Sequence, residues 1–267
     1  MATITRAALA CAASALLLGL TACGDIITPQ TSPTSTSTTA TDAVTESYDT
    51  ADPSGVDPSV AVMPSAAEPA SGGIPVSAAG VGVVAEGVRV DVYLDFLCPY
   101  CGLFEQVNGA DLQALAAQDG VTVVYHPLAI MDRASLGTFY STRAANAVGV
   151  VADQSPEHFV VFMEALFARG TMPDQGTEGL SDARLAEVAQ SVGVPTSVTD
   201  QFTSVVEVDG RQVRPFVPWT VASLYAAALA MDGQVGTPSV FIDGERWSGD
   251  YTTRGTLKAA VEAAARG

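Results

Sequence analysis

From Val88 to Phe96 the chain alternates: Val88, Val90, Val92, Leu94 and Phe96 are apolar, while Arg89, Asp91, Tyr93 and Asp95 interleave them. A two-residue period predicts a strand with one buried face. Beyond Cys101 the apolar spacing widens to Leu103, Phe104, Val107, Leu112 and Leu115, which predicts a helix with a break near Gly109 and an end at Gly120. Val121 to His126 reads as a second strand, stopped by Pro127. Residues 133–232 then change character. Helical patterns cover 141–151, 156–168, 181–192 and 218–231, with Pro156 and Pro218 at first-turn positions and Ser181 as an N-cap. Strand character returns at 239–242, Asp243-Gly244 predicts a hairpin turn, residues 245–248 pair back, and 253–265 reads as a closing helix. The pattern predicts an α/β fold: a mixed sheet flanked by helices, with a helical domain inserted at about 133–232.

The first 72 residues belong to no such pattern. Arg6 precedes a fourteen-residue apolar stretch, 7–20, and Leu20-Thr21-Ala22-Cys23 follows it. At about 20 residues per bilayer crossing, the stretch is too short to span. A bacterial lipoprotein signal has this order, which implies acylation of the Cys23 sulfur and cleavage before it; an ordinary cleaved leader with a fortuitous cysteine is the alternative. Residues 24–72 are dominated by Thr, Ser, Pro, Ala and Asp, and no Lys or Arg occurs between 24 and 88. Such a segment buries too little apolar surface to offset its ordering entropy, so it reads as a disordered linker, about 40 Å from end to end as a flexible coil. The ordered domain is expected over 73–267. The implied location is the outer face of a cell membrane, held by a lipid anchor.

Charge sharpens this. The chain carries a formal charge of −17, with twelve basic and 29 acidic residues. That argues against nucleic acid as a partner and against electrostatic adhesion to anionic lipid. Attachment to a membrane would have to be covalent or hydrophobic.

Of four cysteines, Cys11 lies in the apolar leader and Cys23 at the processing site, which leaves Cys98-Pro99-Tyr100-Cys101. The pair falls at a strand-to-helix junction. A thiolate is the nucleophile of disulfide exchange, and free cysteine titrates at about 8.5. Unsatisfied N–H groups at a helix start favour the anion. Pro99 suits the first turn, where its missing N–H costs nothing. Tyr100 offers an edge or hydroxyl to the sulfur but no full charge, and Asp95, three residues upstream, opposes the thiolate if it is ionised and close. Cys98 is therefore expected to have a lowered pKa, and Cys101, one turn on, to be more buried. Two plainer readings compete. Half a zinc site would need His126 and His158, whose spacing fits no usual finger. A structural disulfide closing so short a loop constrains the unfolded chain little. No metal or cofactor is expected. Gly236-Thr237-Pro238, just before the strand at 239–242, suits a cis peptide in a tight turn beside Cys98, where the Thr237 backbone pairs with an extended substrate segment; a trans proline starting an edge strand is the alternative.

These residues resemble the DsbA-like, thioredoxin-fold thiol–disulfide oxidoreductases in their exported actinobacterial form. The likeness rests on 95–101, on 236–238, and on His126-Pro127-Leu128-Ala129-Ile130-Met131-Asp132 and residues 140–147, and covers about 80–265. The family implies Cys98 as attacking thiol, Cys101 as resolving thiol, Pro238 as cis-proline, exported cysteine-containing proteins as clients, and a membrane quinone-linked partner for re-oxidation. Two positions depart from it. Thioredoxin and DsbA proper carry a buried acid where this chain has Val92, so a proton acceptor for Cys101 would be Asp95, Glu105 or water. Thr237 stands where DsbA proper has valine, a feature of isomerases and reductases. An oxidase is the primary expectation, with an isomerase or reductase, or a non-catalytic lipid-anchored binding module, as alternatives.

Overall fold

A computed structural model describes residues 47–266. The expected signal segment 1–23 with Cys23, and residues 24–46 of the expected linker, lie outside the described residues. Six strands form one mixed sheet in the order β2-β1-β4-β3-β7-β8. β1 (Ile74–Ser77) and β2 (Gly80–Val81) make an edge hairpin, and β3 (Val88–Leu94) lies inside the sheet. β3 leads through α1 (Pro99–Ala116) to the parallel strand β4 (Val121–Pro127). The insertion follows: α2 (Tyr140–Gln154), α3 (Phe159–Phe167), α4 (Asp182–Ser191), α5 (Thr196–Thr199), β5 (Val206–Val208), β6 (Arg211–Val213) and α6 (Val217–Ala230). β7 (Ser239–Ile242) returns antiparallel to β3, β8 (Glu245–Arg246) pairs with β7, and α7 (Thr256–Ala264) closes the domain.

β3 has both faces covered. Val88, Val90, Val92 and Leu94 join the main core with Phe104 and Leu112 of α1 and Leu257 and Val261 of α7. Tyr93, on the opposite face, packs with Leu128, Phe241 and Ala227 and Met231 of α6. Arg89, Asp91 and Tyr93 therefore do not form a solvent face. They belong to a chain of contacts: Glu68 to Arg89 at 2.7 Å, Arg89 to Asp91 at 2.7 Å, Asp91 to His126 Nε2 at 2.8 Å, and the His126 ring stacked 4.1 Å from Tyr93. Val92, at the position of the family's buried acid, is fully buried in the apolar core.

Four expectations change. The linker does not extend to 72. Residues 47–72 lie on the domain as an arm: Arg143 stacks 4.0 Å from the Tyr48 ring, Arg214 donates its N–H to the Thr50 carbonyl, Ala51 is fully buried, and Trp219 Nε1 donates to the Gly72 carbonyl at 2.8 Å. Polar composition hid this because the arm is held by individual polar contacts that leave no hydrophobic period. Ile74 to Val81, too short and broken to signal strand, becomes the edge hairpin. α1 runs unbroken through Gly109 because tertiary packing outweighs glycine's helix cost of about 1 kcal/mol. The insertion also contains a β5–β6 hairpin, turned by Asp209 and Gly210 at φ 50° and 75°. The hairpin closed by Asp243-Gly244 forms as the sequence predicts.

Candidate active site

The site sits where β3 runs out. Cys98 occupies the N-cap of α1 with extended backbone, and Pro99 is the first helical residue. The Cys101 and Gly102 N–H groups close the first turn on the Cys98 carbonyl at 2.9 and 3.2 Å. Pro99 has no N–H, so the first turn's remaining donors point towards the cap position, where Cys98 offers sulfur instead of the usual oxygen.

Opposite stands the Gly236-Thr237-Pro238 turn, with the Thr237–Pro238 peptide cis. The antiparallel pairing of β7 with β3 carries it there: Ser239 pairs with Tyr93, so the turn sits at the same sheet end as Cys98. The Cys98 thiol donates to the Thr237 carbonyl at 3.4 Å. The Thr237 hydroxyl is buried as well and acts on both sulfurs, favouring their anions. Both cysteines are free thiols, so the structure is the dithiol form.

The two sulfurs are unlike. Cys98 is pulled down to about 6, chiefly by hydrogen bonding from the Cys101 thiol, with support from Thr237 and the Cys101 and Tyr100 N–H groups against the cost of burial. Cys101 is fully buried, and burial together with the adjacent Cys98 pushes its thiol well above the usual range. The Asp95 N–H donates to Cys101 Sγ at 3.5 Å. Cys98 keeps 5% of its surface exposed, so little of it is open to an attacking sulfur.

Asp95 is placed differently from the expectation that its charge opposes the thiolate. Its carboxylate is fully buried and accepts from Leu97 N–H at 2.8 Å, Ser141 hydroxyl at 2.7 Å and Met131 N–H at 2.9 Å. Burial raises it to about 7. The side chain brackets three segments together, and only its main-chain N–H touches a sulfur. Tyr100 contributes its N–H to the Cys98 anion while its ring stands 63% exposed. Glu105, one turn beyond Cys101, makes no hydrogen bond to either sulfur; its carboxylate has no partner at all among the described residues.

Sequence reasoning passed over the wall beside Pro238. Phe104, Arg246, Trp247 and Tyr251 line a small cavity of about 60 Å³ there. Burial and negative charge at Tyr100, Cys98 and Cys101 raise the Tyr251 phenol, which puts it within electrostatic reach of both sulfurs. Phe104 comes from α1 itself, but Arg246, Trp247 and Tyr251 lie about 150 positions from the cysteines and carry no motif, so only the return of the chain through β7 and β8 brings them in. Among the described residues, no group of three or more His, Cys, Asp or Glu side chains is placed to hold a metal.

A mixed sheet with an inserted helical domain, and a Cys-x-x-Cys pair at a helix start facing a cis-proline, define the thioredoxin fold in its DsbA-like form. The chain belongs to the Thioredoxin family, whose model matches residues 81–263, as the sequence resemblance implied. Among solved structures it is similar to the reduced form of a disulfide bond oxidoreductase (DsbG) from Mycobacterium tuberculosis, at 28% identity and TM-score 0.55, over 72% of this chain and 86% of that one. It is also similar to reduced DsbA from Mycobacterium tuberculosis, at 26% identity and TM-score 0.55, over 72% of this chain and 91% of that one. A curated relative is the serine/threonine-protein kinase PknE of Mycobacterium tuberculosis, 34% identical over 122 residues. That match takes in 45% of this chain but only 22% of the kinase.

Proposed function

We propose that this protein is a thiol–disulfide oxidoreductase acting outside the cytosol on exported proteins, most readily as an oxidase. One observation carries the reading: Cys98, drawn down to about 6, stands at the start of α1 against the cis Thr237–Pro238 turn, with Cys101 buried behind it. The cycle starts from the Cys98–Cys101 disulfide. A client thiolate attacks Cys98, forming a client–Cys98 disulfide and releasing Cys101 with the electron pair. A second client thiolate attacks the client sulfur and expels Cys98 as a thiolate. The client has lost two electrons and the enzyme has gained them, to be passed to a membrane quinone-linked partner. Run in reverse, Cys101 resolves the mixed disulfide.

The low Cys98 pKa supports the oxidase direction, because a stable thiolate leaves readily and stabilises the reduced enzyme. Thr237 before the cis-proline favours the isomerase or reductase alternative. Attachment through acylated Cys23 rests on the leader's order alone. No helix among the described residues is long and apolar enough to cross a membrane.

Cys101→Ala removes the resolving sulfur, so clients accumulate on Cys98 as mixed disulfides visible on a non-reducing gel. An empty trap would leave the non-catalytic binding module standing. Equilibration in glutathione buffers gives the direction: a potential well above thioredoxin's, about −270 mV, is expected, and a value near or below it makes the protein a reductase. Cys23→Ala is expected to move the protein from the membrane fraction to the soluble one.

A further inference from the structure

β3 ends at Leu94, so no strand ladder holds residue 95 in place. Yet every polar group of Asp95 is engaged. Its peptide N–H donates to Cys101 Sγ at 3.5 Å, and its carbonyl accepts the Cys98 N–H at 3.1 Å. Its carboxylate accepts from Leu97 in the turn before α1, from Ser141 in the first turn of α2, and from Met131 in the segment after β4. The main chain of one residue thus meets both cysteines, while its side chain is gripped from three sides. Hydrogen bonds to a buried carboxylate are strong and directional, and they replace the water it has lost.

Cys101 has few donors of its own. Against burial and the adjacent Cys98, the groups that favour its anion are the Asp95 N–H and the Thr237 hydroxyl. The reaction makes that anion twice. Cys101 leaves as a thiolate when a client attacks Cys98, and it attacks as a thiolate when it resolves a mixed disulfide. A fixed N–H dipole aimed at the sulfur stabilises both events without having to reorganise.

We propose that Asp95 is the positioning residue of the resolving thiol: its buried carboxylate, clamped by Leu97, Met131 and Ser141, holds the residue-95 N–H against Cys101 Sγ. The inference rests on the oxidoreductase reading and deepens it. The carboxylate oxygens bond N–H and O–H groups and not sulfur, so they aim the peptide and take no proton from Cys101. Through Ser141, the insertion shares in setting the reactivity of a thiol on α1.

The test mixes the reduced protein with oxidised glutathione. The Cys98 thiolate attacks one glutathione sulfur, forming a mixed disulfide and releasing a glutathione thiolate. The Cys101 thiolate then attacks Cys98 Sγ, closes the Cys98–Cys101 disulfide and expels the second glutathione thiolate. Acid quenching and peptide mass spectrometry give the lifetime of the adduct on Cys98. In Asp95→Asn, an amide whose oxygen serves Leu97 and Ser141 turns its NH2 on the Met131 N–H, and the clamp opens. The expected lifetime there is about tenfold longer, with a smaller lengthening in Ser141→Ala, which keeps the charge and removes one donor. A shorter lifetime in Asp95→Asn overturns the proposal, because the charge then acts through space: its loss would favour the neighbouring anion. Asp182→Asn weakens the ion pairs to Arg143 and Arg214 inside the insertion and should leave the lifetime unchanged. An equal lengthening there overturns the proposal, since any loosening of the insertion would then do. Hydrogen exchange at the residue-95 amide reads the clamp without chemistry at the cysteines. It should be faster in Ser141→Ala than in the parent, and equal exchange overturns the proposal. A parent that forms no adduct on Cys98 defeats the oxidoreductase reading instead, and the exchange measurement still decides whether the clamp exists.

Discussion

At Cys98 the decisive contacts are short-range: a neighbouring thiol, a threonine and two N–H groups, with no basic side chain among them. The rate of iodoacetamide alkylation should therefore rise with pH through a midpoint of about 6, against about 8.5 for an unperturbed thiol. Thr237→Val removes the hydroxyl near both sulfurs and should move that midpoint upward; an unchanged midpoint would assign the effect to the backbone alone. The same lowering sets the pH dependence of stability. An acid whose folded pKa is depressed adds stability that is complete above its unfolded value and lost as pH falls through the folded one. The reduced protein should exceed Cys98→Ser in stability most at pH 8.5 to 9, and the gap should close by about pH 5, measured by urea denaturation under reducing conditions. Glu105 works with the opposite sign. Its carboxyl is raised by burial and by Glu164, so stability falls as pH climbs from about 4.5, its ordinary value, towards about 8. Glu105→Gln should therefore be more stable than the parent at pH 8, by about 1–3 kcal/mol, with the difference shrinking at pH 5.

At the level of elements, the insertion is fastened by one carboxylate. Asp182, first residue of α4, meets Arg214 Nη2 at 2.6 Å and Arg143 Nη1 at 3.1 Å, and both arginines are essentially fully buried. Against the cost of burial, Arg214 and Arg143 hold its carboxyl below the usual range. Asp182→Ala leaves two guanidinium groups buried without their counter-charge, a loss of about 3–5 kcal/mol in urea denaturation. None of this was legible beforehand, because a charge partner 32 or 39 residues away leaves no periodic trace. What the sequence did disclose had a local cause. The period of two in β3, Pro99 after Cys98, Ser181 capping α4 through the Arg184 N–H at 3.1 Å, and Asp243-Gly244 all act over a few residues. Asp209-Gly210 carried the same turn signal as Asp243-Gly244, and the β5–β6 hairpin it closes was readable by that rule. The facing of Cys98 and Pro238 was legible because motif and strand order agree. The Asp95 bracket was not, since its partners Met131 and Ser141 come from segments whose placement depends on the insertion.

Across the whole molecule the arm of residues 47–72 touches both halves. Its first part lies on the insertion, through Tyr48 on Arg143, Thr50 on Arg214 and the buried Ala51. Its last part reaches the sheet through Glu68 on Arg89 and the insertion again through Gly72 on Trp219 of α6. The indole N–H of Trp219, a fully buried side chain, has the Gly72 carbonyl as its acceptor. Stripping the arm uncovers apolar surface and takes one side of a cation–π pair, an ion pair and a buried indole acceptor together. A chain beginning at Gly73 should therefore unfold at lower urea than one beginning at Ser47. The indole and the apolar burial alone are worth about 1–3 kcal/mol each, so a deficit of several kcal/mol is expected. Exchange of the Trp219 indole proton, followed by NMR, should quicken in the shorter chain. Equal urea midpoints would mean that the arm is a bystander, and that residues 47–72 are the spacer their composition suggests. A deficit makes the arm the structural floor of the domain and part of its folded unit, because the contacts of Tyr48, Thr50 and Glu68 then carry stability that composition alone does not disclose.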